Sequence, residues 1–149
     1  MTASICWRRS SEIGAGEGSI GYADESQIGD LPAAAIGVGA EFVQPSAEGA
    51  AKVLDISPRA EGRPEGDFAF DLVRDTTESG VYPIVLVSYH VVCLQYDSQE
   101  KADLVKAFMT YVGSEEGQAA AAETAGSAPI SDDLRQQMLA VISQISAAS

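Results

Sequence analysis

Tyr82-Pro83-Ile84-Val85-Leu86-Val87-Ser88-Tyr89-His90-Val91-Val92-Cys93-Leu94-Gln95 is the longest β-branched and aromatic run in the chain and its only clear two-faced strand. At period two, Val85, Val87, Tyr89, Val91 and Cys93 make one wholly apolar face. Ile84, Leu86, Ser88, His90, Val92 and Leu94 make the other. Both faces expect cover. Extended at roughly 3.3 Å per residue, the run would reach about 45 Å, far beyond a usual strand of about 17 to 20 Å. It therefore bends or passes from one packed body to another.

Working outward from this run, the 149 residues have the length of one ordinary domain, and an apolar fraction of 46% is normal for a globular protein. A net charge of −13 repels a phosphate backbone or an anionic bilayer, which argues against nucleic-acid and membrane-surface partners and for solubility. Two cysteines, Cys6 and Cys93, make no disulfide framework, and neither has a second Cys or His at zinc-ligand spacing, so no metal is expected. Cys93 is expected to act as a small hydrophobe within the strand's apolar face.

Residues 1–11 read MTASICWRRSS and stop being apolar after Trp7, which gives no export signal. Arg8-Arg9 and Cys6 have the residue types of twin-arginine and lipid-modified leaders, yet lack the hydrophobic stretch such leaders need. No run approaches the roughly 20 apolar residues of a membrane span.

Residues 1–17 show no period and are expected to be a disordered lead. Strands are expected over Ser19 to Ala23, Leu31 to Val38 and Phe42-Val43, with a polar turn or brief helix over Asp24 to Gly29. Ser46 caps a helix that carries Ala50, Val53 and Leu54 and ends before Pro58. Arg59 to Gly66 is a loop, and Phe68, Phe70, Leu72 and Val73 form a short apolar segment.

Three helices follow the long run. Asp97 with Glu100 suggests a capping box for the first. Its expected buried stripe is Leu104, Phe108 and Tyr111 with Val105, Met109 and Val112, and Gly113 suits a left-handed end. Ser114 caps an alanine-rich helix ended by Gly126. Ser131, Asp132 and Asp133 open the last, whose stripe is Leu134, Met138, Val141, Ile142 and Ile145.

Two patterns invite chemistry. Gly16-Glu17-Gly18-Ser19-Ile20-Gly21 spells G-x-G-x-x-G, with Glu41 about 20 residues on. The context contradicts a dinucleotide site, because no buried strand precedes it and Gly29 and Pro32 leave no room for a full helix. Ser88 and His90 share a strand face, but no oxyanion loop surrounds Ser88, and polar residues within a strand usually meet backbone or water. No catalytic, cofactor or metal residue is assigned.

Gly18-Ser19-Ile20-Gly21-Tyr22, then Tyr82-Pro83-Ile84, then Glu116-Gly117-Gln118 with Gly126 and Pro129, resemble in order and spacing the C-terminal part of the phosphate-binding protein of bacterial phosphate ABC transporters, a type II periplasmic binding protein. The resemblance implies an α/β fold, strands first and then three C-terminal helices, as the C-terminal portion of a two-lobed clamp. By it, residues 18–82 end the second lobe and residues 83–149 return into the first. It implies a non-enzymatic, extracytoplasmic or membrane-associated parent whose partners are inorganic phosphate and an ABC permease, with no cofactor.

The family holds phosphate with hydroxyls, helix N-termini, an Arg and an Asp in loops upstream of the Gly18 segment. The resemblance thus implies a fragment with no phosphate-binding residue of its own, prone to self-association through open edges. The alternative is a small acidic interaction domain without ligand binding.

Overall fold

The computed structural model describes residues 13–148. Of the expected lead, residues 1–12, with Cys6 and Arg8-Arg9, lie outside the described residues, and residues 13–15 make one helical turn. Glu25–Gln27 forms a 3-10 turn where a polar turn was expected. The strand expected over Ser19 to Ala23 does not form among the described residues, and Ile20 is exposed. Leu31 to Val38 pairs only over its last residues, as β1 (Ile36–Val38), antiparallel to β2 (Glu41–Val43). Gly39, at φ +58, supplies the left-handed residue that turns this hairpin.

Helix α1 (Ala47–Ile56) starts where its cap puts it: the Ser46 hydroxyl accepts the Gly49 N–H at 3.0 Å, a contact worth about 1 kcal/mol in such helices. A glycine inside a helix costs about 1 kcal/mol relative to alanine. Gly49 has a packing reason to be there. A Cβ at Gly49 would lie 3.1 Å from the Gly80 carbonyl oxygen and 3.2 Å from the Tyr82 Cβ. The same close approach lets the Gly49 carbonyl accept the Tyr82 N–H at 3.0 Å.

Helices α2 (Gln99–Val112), α3 (Glu115–Ala125) and α4 (Asp132–Ile142) complete the chain. The first cap is Ser98, whose hydroxyl accepts the Lys101 N–H, and not Asp97, which forms an ion pair with the Lys101 ammonium at 2.8 Å instead. Gly113 is right-handed at φ −83, since its chain turns at once into the Ser114 cap of α3. Gly126 takes the left-handed end at φ 65. Two short strands, β3 (Gln95–Tyr96) and β4 (Ser146–Ala147), pair in parallel across the end of the bundle. Ala102, Met109, Ile142 and Ile145 form the core there, with Tyr96, Val105 and Leu139 packed on it. The result is the mixed α/β order that the sequence implied, β-hairpin first and three helices last.

Two expectations fail for one physical reason. The long run has no ladder between Tyr82 and Leu94, since no described strand offers its edge there. Its side chains lie open, Leu86 and Val91 among them, and Cys93 is exposed rather than packed. The α2 stripe likewise splits. Ala102 and Met109 are buried, whereas Leu104, Phe108 and Tyr111, on the next face round, are exposed. Nothing in the described chain covers them.

Met109→Ala is expected to lower unfolding stability by about 2 to 5 kcal/mol, because it empties a packed position. Leu104→Ala, at a side chain 71% exposed, is expected to change it by less than about 0.5 kcal/mol. Urea midpoints of the two variants would check this split, and equal losses would contradict the observed face of α2.

Candidate functional site

The extended segment that leaves α1 is held at both ends. At its start, a Glu41 carboxylate oxygen accepts the Gly80 N–H at 2.7 Å. That backbone donor, followed by the Ser79 hydroxyl and with help from the Lys52 charge, holds the Glu41 carboxyl below its ordinary 4.5. Val81 and Pro83 are buried. Burial pushes the Tyr82 phenol up, and the negative charges that Tyr22 and Glu25 can carry add to this. The Arg74 guanidinium donates to the Pro83 and Val85 carbonyls at 3.1 to 3.3 Å.

At the far end the Leu94 carbonyl accepts the Ser146 N–H, and the Cys93 N–H donates to the Tyr96 hydroxyl. Between these anchors the contacts are few. The Tyr89 hydroxyl accepts the Phe70 N–H at 3.2 Å, and the His90 ring meets Phe108 edge-on with centroids 6.3 Å apart.

The two sequence patterns with chemical potential do not become sites. Ser88 and His90 are both exposed, no hydrogen bond joins them among the described residues, and the imidazole contact is with Phe108. The G-x-G-x-x-G stretch is a turn, with Gly18 at φ +76 and the Ser19 N–H on the Gly16 carbonyl. No helix opens inside it, so no helix N-terminus faces a pyrophosphate. Glu41, the acidic residue at ribose spacing, is committed to Gly80. Among the described residues no three His, Cys, Asp or Glu side chains gather as metal ligands.

Anion binding needs free cations or helix N-termini; the described arginines, Lys101 and Lys106 are bonded elsewhere, and Lys52 lies beside Gly80, where its charge acts on the Glu41 carboxylate. Arg59 lies on the Phe68 ring at 3.8 Å and donates to the Gln137 side chain at 2.7 Å. Arg63 pairs with Asp67, Arg74 with the two carbonyls above, and Arg135 with Asp132 and Glu115. Lys101 pairs with Asp97, and Lys106 donates to the Ser143 and Ile145 carbonyls. Every described α-helix also starts with acid in its first turn: Glu48, Glu100, Glu115 with Glu116, and Asp132 with Asp133. Those carboxylates already take the favourable field of the helix dipole and repel a second anion.

Of the residues that carried the family resemblance, Gly117, Gln118 and Tyr82-Pro83 are placed for packing, whereas Gly18 to Tyr22 is exposed. A Cβ at Gly117 would collide with the Tyr111 carbonyl oxygen, so the tight α2–α3 corner requires glycine there. Gln118 bridges that corner to the approach to α4, donating to the Val112 carbonyl at 2.9 Å and accepting the Ile130 N–H at 3.1 Å. Tyr82-Pro83 starts the extended segment at its hydrogen bond to Gly49. Sequence reasoning missed the Glu41–Gly80 tie. Its partners are 39 residues apart, and the only pattern that drew attention to Glu41 pointed to a ribose rather than to Gly80.

Among the protein families, the PBP superfamily domain matches residues 3–116, which span the hairpin, α1, the extended segment, α2 and the first residues of α3. No curated protein and no solved structure matches the chain.

Because the Glu41 carboxyl is held low in the folded state, its tie to Gly80 contributes stability that is fully present above pH 4.5 and is lost as pH falls through the lower folded value. The Gly80 amide resonance is expected to titrate with a midpoint below 4.5, and Glu41→Gln is expected to abolish that titration. A midpoint at or above 4.5 would contradict the hydrogen bond as the cause.

Proposed function

The chain belongs to the PBP superfamily, the periplasmic-binding-protein-like solute-binding domains, and on that premise we propose that its solute is inorganic phosphate, delivered to an ABC permease. The role is non-enzymatic and extracytoplasmic. In this reading residues 18–82 belong to the end of one lobe and residues 83–149 to the other. The groups that close on phosphate lie outside the described residues.

The observation that carries the reading is the segment from Val81 to Leu94. It is fixed by Gly49 and Arg74 at one end, by Ser146 at the other, and has no turn or bend in between. A connection between two lobes has this form, anchored where it leaves one body and where it enters the next. Phosphate as the solute is supported by Gly18 to Tyr22, Tyr82 to Ile84 and Glu116 to Gln118, whose order resembles the phosphate-binding family. The committed arginines and acidic helix starts agree with a chain portion that carries no anion cradle of its own.

Calorimetry decides this in two arms. The chain alone is expected to give no saturable heat with phosphate. When the preceding portion of a bacterial phosphate-binding protein is fused ahead of Ser19, saturable phosphate binding is expected, with sulfate giving none. Micromolar phosphate binding by the chain alone would overturn the assignment, and so would a cooperatively folded fusion that takes no phosphate.

A further inference from the structure

An extended segment with open edges and open apolar side chains has to be covered by something. From Ile84 to Val92 no backbone group bonds to another backbone group among the described residues. Leu86 is 72% exposed and Val91 93%. The edge-on contact of His90 with Phe108 joins this segment to the bare α2 stripe of Leu104, Phe108 and Tyr111, so the two make one continuous surface. Most of the exposed large apolar side chains among the described residues lie on this surface, and a stable dimer interface covers roughly 800 Å² per partner.

We infer that the occupant is a second copy of this chain, its residues 86–92 paired antiparallel with those of the first about a two-fold axis at Tyr89. Two features of the sequence select that partner and that register. The chain carries −13, yet residues 79–96 contain no Asp, Glu, Lys or Arg. Two copies therefore meet there without the like-charge repulsion that most other faces would bring. The run is also self-complementary about Tyr89. Leu86 comes opposite Val92, and Val87 opposite Val91. Ser88 comes opposite His90, so the polar positions of the run also meet each other.

Slipping the register by one residue destroys this match, because every side chain changes face. Pro83, which has no N–H to give a ladder, falls outside the paired region. The Leu104–Phe108–Tyr111 stripe then lies beside the new ladder, where the partner's segment covers part of it. The interface is independent of which solute the parent family binds.

Sedimentation across a concentration series tests the assembly. The full chain is expected to reach a plateau at twice its monomer mass. Val91→Lys places a charge on the most exposed position of the segment and is expected to leave a monomer with unchanged far-ultraviolet circular dichroism. Ile20→Lys, at a side chain 88% exposed elsewhere, is expected to keep the dimer.

The register is read by disulfide trapping. In a Cys6→Ser, Cys93→Ser background, Tyr89→Cys is expected to cross-link to its own copy on mild oxidation, since facing Cα atoms at a non-hydrogen-bonded antiparallel pair lie about 4.5 Å apart. A cooperatively melting wild-type monomer at every concentration would overturn the inference, as would a Val91→Lys dimer. Open-ended growth without a dimer plateau would overturn the closed two-fold, and absence of the Tyr89→Cys cross-link in a confirmed dimer would overturn the register.

Discussion

Extended backbone presents one N–H and one C=O per residue, and in a sheet a neighbouring strand answers them. From Ile84 to Val92 this chain has no described neighbouring strand, and the rest of the structure is arranged around that fact. The segment is tethered at its ends: the Tyr82 N–H on Gly49 and the Leu94 carbonyl on Ser146. Arg74 satisfies two of the carbonyls with one side chain. Such tethers fix where the segment starts and stops but leave its faces to whatever packs on them.

The same constraint explains why packing is concentrated at the two ends. Val38, Val53 and Val81 are buried on the side of the hairpin and α1, and Ala102, Met109, Ile142 and Ile145 on the side of the helices. Burying one such side chain is worth roughly 1.5 to 3 kcal/mol, so each end has a modest apolar driving force. More large apolar side chains are exposed than buried, and most of the exposed ones lie on the segment or on the α2 face beside it. The sidedness of α2 follows: its face toward α4 and β4 is filled, and no described element packs on the face beyond.

This division also decides what could be known from the sequence. Helix starts were legible, since a cap is a local matter: Ser46, Ser114 and Ser131 each accept the N–H three residues on. The left-handed end at Gly126 was legible for the same reason. Asp97 misled because Ser98 competes with it one residue later and Lys101 offers it an ion pair. Gly113 misled because the next helix begins before a left-handed residue is needed. The long run and the stripe of Leu104, Phe108 and Tyr111 misled on a larger scale. Periodicity records which residues seek cover and cannot record whether a covering element exists. Gly49 and Glu41 were opaque in the opposite sense, since their roles come from partners 31 and 39 residues away across the Gly80 approach.

Electrostatics carries the remaining argument about function. A domain that grips an anion must leave cations or helix starts uncommitted, because a site whose donors are already bonded has to break those bonds before it can bind. Here the described arginines are spent on Phe68, Asp67, Asp132, Glu115 and backbone carbonyls, and each helix start carries its own carboxylates. The acidic surplus of the chain is therefore arranged within its own helices and loops. The longest uncharged stretch, residues 79–96, contains the segment Ile84 to Val92 whose backbone has no backbone partner among the described residues. On that segment the absence of charge and the absence of backbone partners together mark a surface suited to another strand rather than to an ion.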